Sequence, residues 1–160
     1  MAIIRISSEL TMETFREFSK KMAYLEGKKD AVKIELSSEG GSAYAALAYS
    51  ALIRNSPLNV EITAYGFVAS AAVLILASGD IRFMTKEAWV MVHEDSGKLK
   101  GDVVALEREA AQLRRLELQW AELLQELTGT KASIWTALHK ETTYLNAAQC
   151  VGLNLVDDII

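Results

Sequence analysis

The 160-residue sequence predicts one α/β domain over residues 1–160, with much of its strand pairing parallel. Its length lies near the commonest domain size. With 51% hydrophobic residues, 24% charged residues and a single proline it is not a disordered, collagenous or low-complexity chain. Short apolar strand patterns alternate with helical ones, with no linker or internal repeat, which is the signature of strands joined by crossover helices.

Taken in order, Ile3–Ile6 reads as a first strand. Thr11 then caps a helix whose stripe is Phe15, Phe18, Met22 and Leu25, at steps of three and four. Gly27 and Lys28–Lys29–Asp30 end that helix, and Val32–Leu36 alternates as a strand. The segment Ser37–Gly41 is a tight turn, and Ser42–Arg54 is a helix of small residues. After the turn Asn55–Asn59 comes the strand Val60–Tyr65, broken by Gly66, and then a buried helix over Ala69–Ser78. Two short strands follow near Ile81–Met84 and Val90–Val92. The longest periodic segment spans about 102–128. Its stripe is Val103, Leu106, Ala110, Leu113, Trp120, Leu124 and Leu127, interrupted by Glu117, with Gly129 as C-cap. At 1.5 Å per residue such a helix reaches about 40 Å, longer than this domain's core requires, so it is expected to project onto another subunit. A two-stranded coiled coil is the alternative for this stripe.

A net charge of −4 and a pI near 5.3 give no electrostatic footprint for nucleic acid. One cysteine can form neither an internal disulfide nor a Cys-x-x-Cys metal site, so a reducing, cytoplasmic setting is expected. No N-terminal stretch has the layout of a signal peptide. The apolar run Ala69–Leu76 stops at Ser78–Gly79–Asp80, short of the ~20 residues of a membrane span. A mean hydropathy of +0.13 is high for a small monomer and predicts a large subunit interface.

Candidates for chemistry are few. His93 ends the strand Trp89–Val92 and is followed by Glu94–Asp95; a histidine at a strand mouth can serve as general base or simply be a hydrogen-bonded core residue. His139, in a polar helical stretch, is expected to be exposed. Ser70 lies in Gly66–Phe67–Val68–Ala69–Ser70–Ala71–Ala72. There it is either a nucleophile beside the unpaired N–H groups of a helix start or an N-cap. The layout is not the G-x-S-x-G elbow. Gly40–Gly41 can turn amides toward a ligand or form a plain turn; it lacks the phosphate-loop pattern.

In this order the motifs resemble one family along the whole chain: the proteolytic subunit of the Clp protease, within the wider ClpP/crotonase superfamily. Ser37–Ser42 is similar to the family's N-S-P-G-G-S, Gly66–Ala71 to G-x-A-A-S-M, and Val90–His93 to V-M-I-H. Tyr144–Ala147 with Gly152–Asp157 is similar to F-L-S-A…G-L-V-D, and 29 positions separate Gly41 from Ser70 as in the family.

The resemblance implies a spiral of β-β-α units with a projecting handle helix. It implies a serine peptidase with Ser70 as nucleophile, His93 as general base, and the N–H groups of Gly41 and Ala71 as oxyanion hole. It further implies extended substrate between Gly40, Ser42 and Ala43 on one side and Gly97, Lys98 and Leu99 on the other. Counted without gaps, the family's aspartate falls on Thr142, whose hydroxyl can accept from imidazole but cannot offset its charge; the adjacent Glu141 does not share its direction. Glu39 stands at the turn proline, and Glu94–Asp95 at the family's Gln-Pro.

The implied assembly is a homo-oligomer of stacked heptameric rings, a tetradecamer, acting on peptides or unfolded protein without metal or cofactor and apart from nucleic acid and membrane. The sequence starts directly on the first strand, where the family carries an axial gate and first helix that help dock an AAA+ unfoldase. Dependence on an unfoldase is therefore doubtful. The alternative is a catalytically impaired ring or scaffold subunit with the acid position lost. A crotonase-type acyl-CoA enzyme would need a glutamate base in place of the Ser70–His93 pair. A Ser/Lys dyad would need a lysine beside Ser70, and Lys86 is the nearest in sequence.

Overall fold

The computed structural model describes residues 1–94 and 100–160. Its elements in chain order are β1 (Ala2–Ile6), α1 (Met12–Leu25), β2 (Ala31–Ser38), α2 (Ala43–Asn55), β3 (Asn59–Ala69), α3 (Ala72–Ala77), β4 (Ile81–Met84) and β5 (Trp89–Val92). They continue with α4 (Val103–Thr128), α5 (Ala132–Lys140), β6 (Thr143–Asn146), α6 (Ala147–Gly152) and β7 (Asp158–Ile159).

Strand order is β1-β2-β3-β4-β7, with β5 paired to β3 and β6 to β5. Every pairing is parallel except the antiparallel β5–β6. Parallel strands are covered on both faces by their crossover helices, which explains the near-continuous apolar runs. Val32, Ile34 and Leu36 of β2, with Val60, Ile62 and Ala64 of β3, are fully buried. The helix α3 is buried at all six positions and fills the centre. A capping box at Thr11–Thr14 starts α1, whose Phe18 and Met22 enter the same core as expected from their spacing.

Gly66 does not end its strand. At φ +58° it bends β3, which runs on to Ala69. Before the bend, Glu61–Ala64 pair with β4; after it, Phe67–Ala69 pair with β5. The register against β2 slips at the same level, between Leu36 and Ser38. Opposite β2, one strand thus serves two neighbours, and the bend makes room for β5 beside the end of β3.

The long helix is present with its Asp102 N-cap and a left-handed Gly129 C-cap. Its buried residues are Leu116, Trp120, Ala121, Leu124 and Thr128, all in the C-terminal half. At its far end Arg82 clasps Asp157 (2.7 Å) and donates to the Leu127 carbonyl (3.2 Å), tying β4, the C-terminal segment and α4 together. No helix among the described residues is long and apolar enough to cross a membrane.

Candidate active site

Because β2, β3 and β5 run parallel, their carboxyl ends open at one edge of the sheet, where sites in parallel sheets form. Gly40–Gly41, Ser70 and His93 follow those three ends in turn.

Ser70 sits in the two-residue turn between β3 and α3 with φ +54°, a left-handed conformation that costs a non-glycine residue on the order of 1 kcal/mol or more. Two bonds hold it there: its N–H donates to the Met91 carbonyl (2.8 Å) and its carbonyl accepts from the Val73 N–H (3.1 Å). The sequence does not match the G-x-S-x-G pattern, yet the strand-to-helix turn has the sharp geometry of a nucleophile elbow. The N-cap of α3 is Ala71, with no side-chain capping bond, so the Ser70 hydroxyl is not occupied as a cap.

The same bond to Met91 docks β5 against the elbow, and His93 follows two residues later. Ser70, Ala71 and His93 line one small cavity of about 20 Å³, together with Glu117 and Trp120 of α4 and His139 of α5. That is room for roughly one water molecule. No hydrogen bond joins the Ser70 hydroxyl to His93 among the described residues.

Gly40 (φ +97°) lies directly against the elbow: a Cβ there would stand 2.9 Å from the Ser70 Cβ and 3.0 Å from the Ala71 nitrogen. Glycine therefore leaves open the space before the Ala71 N–H. Gly41 (φ +142°) packs on Leu10, where a Cβ would fall 2.5 Å from the Leu10 carbonyl oxygen. The N–H groups of Gly41 and Ala71 have no acceptor among the described residues. Gly40 and Gly41 line a separate cleft of about 520 Å³ with Ser7, Ser8, Ser37, Glu39 and Phe67 rather than the Ser70 cavity.

Part of the expected substrate edge is already used. Leu10 bridges Gly41, accepting from the Ser42 N–H (2.8 Å) and donating to the Gly40 carbonyl (2.8 Å), while Ala43 opens α2. Gly97, Lys98 and Leu99, with Asp95, lie outside the described residues.

The antiparallel β5–β6 register ends at Val92 opposite Thr143, so His93 and Thr142 occupy the next positions of the two chains. Thr142 has φ +46°, unusual for a β-branched residue, and its N–H donates to the His139 carbonyl (3.3 Å). Thr142 and Glu141 are exposed, and neither lines the cavity. His139 departs from expectation: it is half-buried and faces the cavity, because α5 turns its buried Trp135 face inward and His139 lies one turn further along it. Glu117 enters as the interruption of the α4 stripe; its position there was the signal for it.

Cys150 is buried, and burial pushes its thiol up to about 12, leaving it no role as nucleophile. Among the described residues no cluster of three or more His, Cys, Asp or Glu side chains could hold a metal ion.

The family model described as Clp protease matches residues 1–160. The chain is 25% identical to the ATP-dependent Clp protease proteolytic subunit 2 of Chlamydia abortus, over 99% of its own length and 79% of the relative's. It is 26% identical to subunit 1 from Leifsonia xyli, over 98% and 82%. It is 30% identical to subunit 2 from Treponema denticola, over 80% and 65%. A point mutant of ClpP1 from Listeria monocytogenes superposes with a TM-score of 0.90 at 23% identity, over 99% of this chain and 90% of that one, and so shares the fold. With the family match running the full length of the chain, the chain belongs to the Clp protease family, a family of serine peptidases.

Proposed function

We propose that this protein is a serine endopeptidase that hydrolyses short or unfolded polypeptides within a ring-shaped oligomer. The observation that carries this reading is the strained Ser70 elbow, pinned through Met91 to the strand that delivers His93 into the same cavity.

Ser70 Oγ adds to the scissile carbonyl carbon as His93 takes its proton. The Gly41 and Ala71 N–H groups receive the oxyanion. The tetrahedral species collapses, the C–N bond breaks, and His93 protonates the departing amine. Water, deprotonated by His93, then adds to the acyl-serine ester and releases the carboxyl product and Ser70. Thr142 takes the position next to His93 along the β5–β6 ladder, and the role proposed for its hydroxyl is to accept from the imidazole N–H during turnover. This orients the ring without supplying a negative charge, so turnover is expected to be slow; loss of the acid in a Ser-His-Asp triad costs on the order of 10⁴ in kcat.

Assembly runs through the exposed N-terminal half of α4, whose Val103 and Val104 are 70% and 54% exposed. Stacked heptameric rings, as in the family, would enclose the sites in a chamber.

A second reading, an impaired ring or scaffold subunit, is favoured by the exposed threonine at the acid position. Hydrolysis of fluorogenic peptides by the assembled protein separates the two. The peptidase reading predicts turnover that Ser70→Ala abolishes and Thr142→Asp raises. Silence in both wild type and Thr142→Asp, with assembly intact, establishes the scaffold.

A further inference from the structure

Burial alternates along β5: Val90 and Val92 are buried, while Trp89 is 46% exposed and Met91 half-buried. Trp89 and Met91 therefore share the outward face of the strand. Pairing extends that face on both sides. Trp89 stands opposite Phe67 of β3 and Asn146 of β6, and Met91 stands opposite Ala69 and Tyr144. Tyr144 is 57% exposed, and its ring stacks on that of Phe67, with centroids 6.5 Å apart and planes 19° apart. None of these six positions carries a charge. The Trp89 Nε1–H and the Tyr144 hydroxyl have no partner among the described residues. Rings with an apolar body and an available polar tip are what recognition surfaces use as anchors.

The patch is joined to the candidate active site through its own strands. The Met91 carbonyl accepts from the Ser70 N–H, and the chain runs on from Met91 to His93. Phe67 also lines the cleft of about 520 Å³ with Gly40 and Gly41, and Gly40 lies against the Ser70 elbow. At about 3.3 Å per residue, Trp89 precedes His93 by about 13 Å along the strand, so a side chain held on its ring falls about four residues of extended peptide from a bond at Ser70.

Size decides what the patch fits. Two rings about half exposed, with parts of Phe67 and Met91, offer on the order of 300–400 Å². A stable contact between two copies of a chain takes about 800 Å² from each. The patch suits one or two side chains of a peptide, and an unfolded polypeptide presents the aromatic and aliphatic side chains that a folded one buries.

Resting on the peptidase reading, we propose that Phe67, Trp89, Met91 and Tyr144 form a substrate-holding subsite. It takes an aromatic or large aliphatic side chain of an unfolded polypeptide a few residues from the scissile bond. Selection then rests on how far an apolar side chain stands from the cleaved bond, as well as on the residues that flank that bond.

The test uses the assembled protein. Of the three tryptophans Trp120 and Trp135 are buried, so fluorescence quenching by acrylamide reports on Trp89. Quenching is expected in the peptide-free protein; a shielded Trp89 would mean that a second copy covers the patch and overturns the proposal. Binding is read by fluorescence anisotropy in Ser70→Ala, where nothing is cleaved. The probes are a labelled glycine-serine peptide carrying two phenylalanines and the same peptide with serines in their place. The phenylalanine peptide is expected to bind more tightly by roughly fivefold or more. Trp89→Ala and Tyr144→Ser, each added to Ser70→Ala, are expected to remove that preference. Equal binding of the two peptides, or a preference that survives both substitutions, overturns the proposal; cleavage of fluorogenic peptides by wild type would then leave the peptidase reading intact. If wild type cleaves neither peptide but Ser70→Ala still binds the phenylalanine peptide through Trp89, the peptidase reading fails and the patch stands as a polypeptide-binding surface.

Discussion

The two halves of α4 share one hydrophobic stripe and meet different fates. From Leu116 onward the helix sinks Trp120, Ala121 and Leu124 into the core and sets Glu117 at the cavity that Ser70 and His93 line. From Val103 to Leu113 no residue is buried. The inner half holds up the fold; the outer half leaves the same residue types uncovered by its own domain. Periodicity fixes which face of a helix is apolar, but not what covers that face.

The strongest way to break this contrast is to truncate each half in turn. Leu124 is fully buried, so Leu124→Ala is expected to destabilise the subunit by about 2–5 kcal/mol, read by chemical denaturation. A change in assembly alone, with unfolding unaltered, would show that the inner half is no part of the core. In the outer half, Leu113→Glu is expected to shift subunit stability by no more than about 0.5 kcal/mol. It should nonetheless split the stacked rings, because burying a charge in an apolar contact costs several kcal/mol per ion. Sedimentation velocity reads the split. Unfolding of Leu113→Glu, or a monomeric wild type at micromolar concentration, would erase the distinction.

A smaller effect sharpens the comparison from the anchored end. Asp157 is partly buried, which by itself raises its carboxyl, but the hydrogen bonds and charge of Arg82 outweigh this and hold it below the usual carboxylate range. Its folded-state value is depressed, so the stability it contributes is present above the ordinary aspartate value near 3.9 and is lost as pH falls below it. Wild type should therefore lose more thermal stability between pH 5 and pH 3, as round working values around that pKa, than Asp157→Asn does. Equal losses would mean that the clasp to Arg82 and Leu127 does not hold the inner end of α4.

The placement of the candidate site's parts was legible because it is local. Gly40–Gly41, Ser70 and His93 each follow a strand that alternation and flanking glycines mark out, and parallel pairing aligns the strand ends without further information. What escaped the sequence depends on tertiary choices. Gly66 reads as a breaker, because nothing local announces that β3 will change neighbours from β4 to β5. His139 reads as exposed, because its helix is polar around it and only the docking of Trp135 turns it inward. Glu117 reads as a flaw in a stripe, because nothing local announces that α4 packs at the cavity that Ser70 and His93 line. The positive φ of Ser70 and Thr142 has no sequence signature, since serine and threonine rarely adopt it.

The central claim is that the Ser70 elbow and His93 form a working nucleophile and base. Mass spectrometry of the assembled wild-type protein after exposure to a fluorophosphonate tests it directly. The account predicts a single stoichiometric adduct on Ser70, lost in His93→Ala and after unfolding. An unmodified Ser70 in folded, assembled protein, or an adduct on another residue that persists in Ser70→Ala, would contradict it.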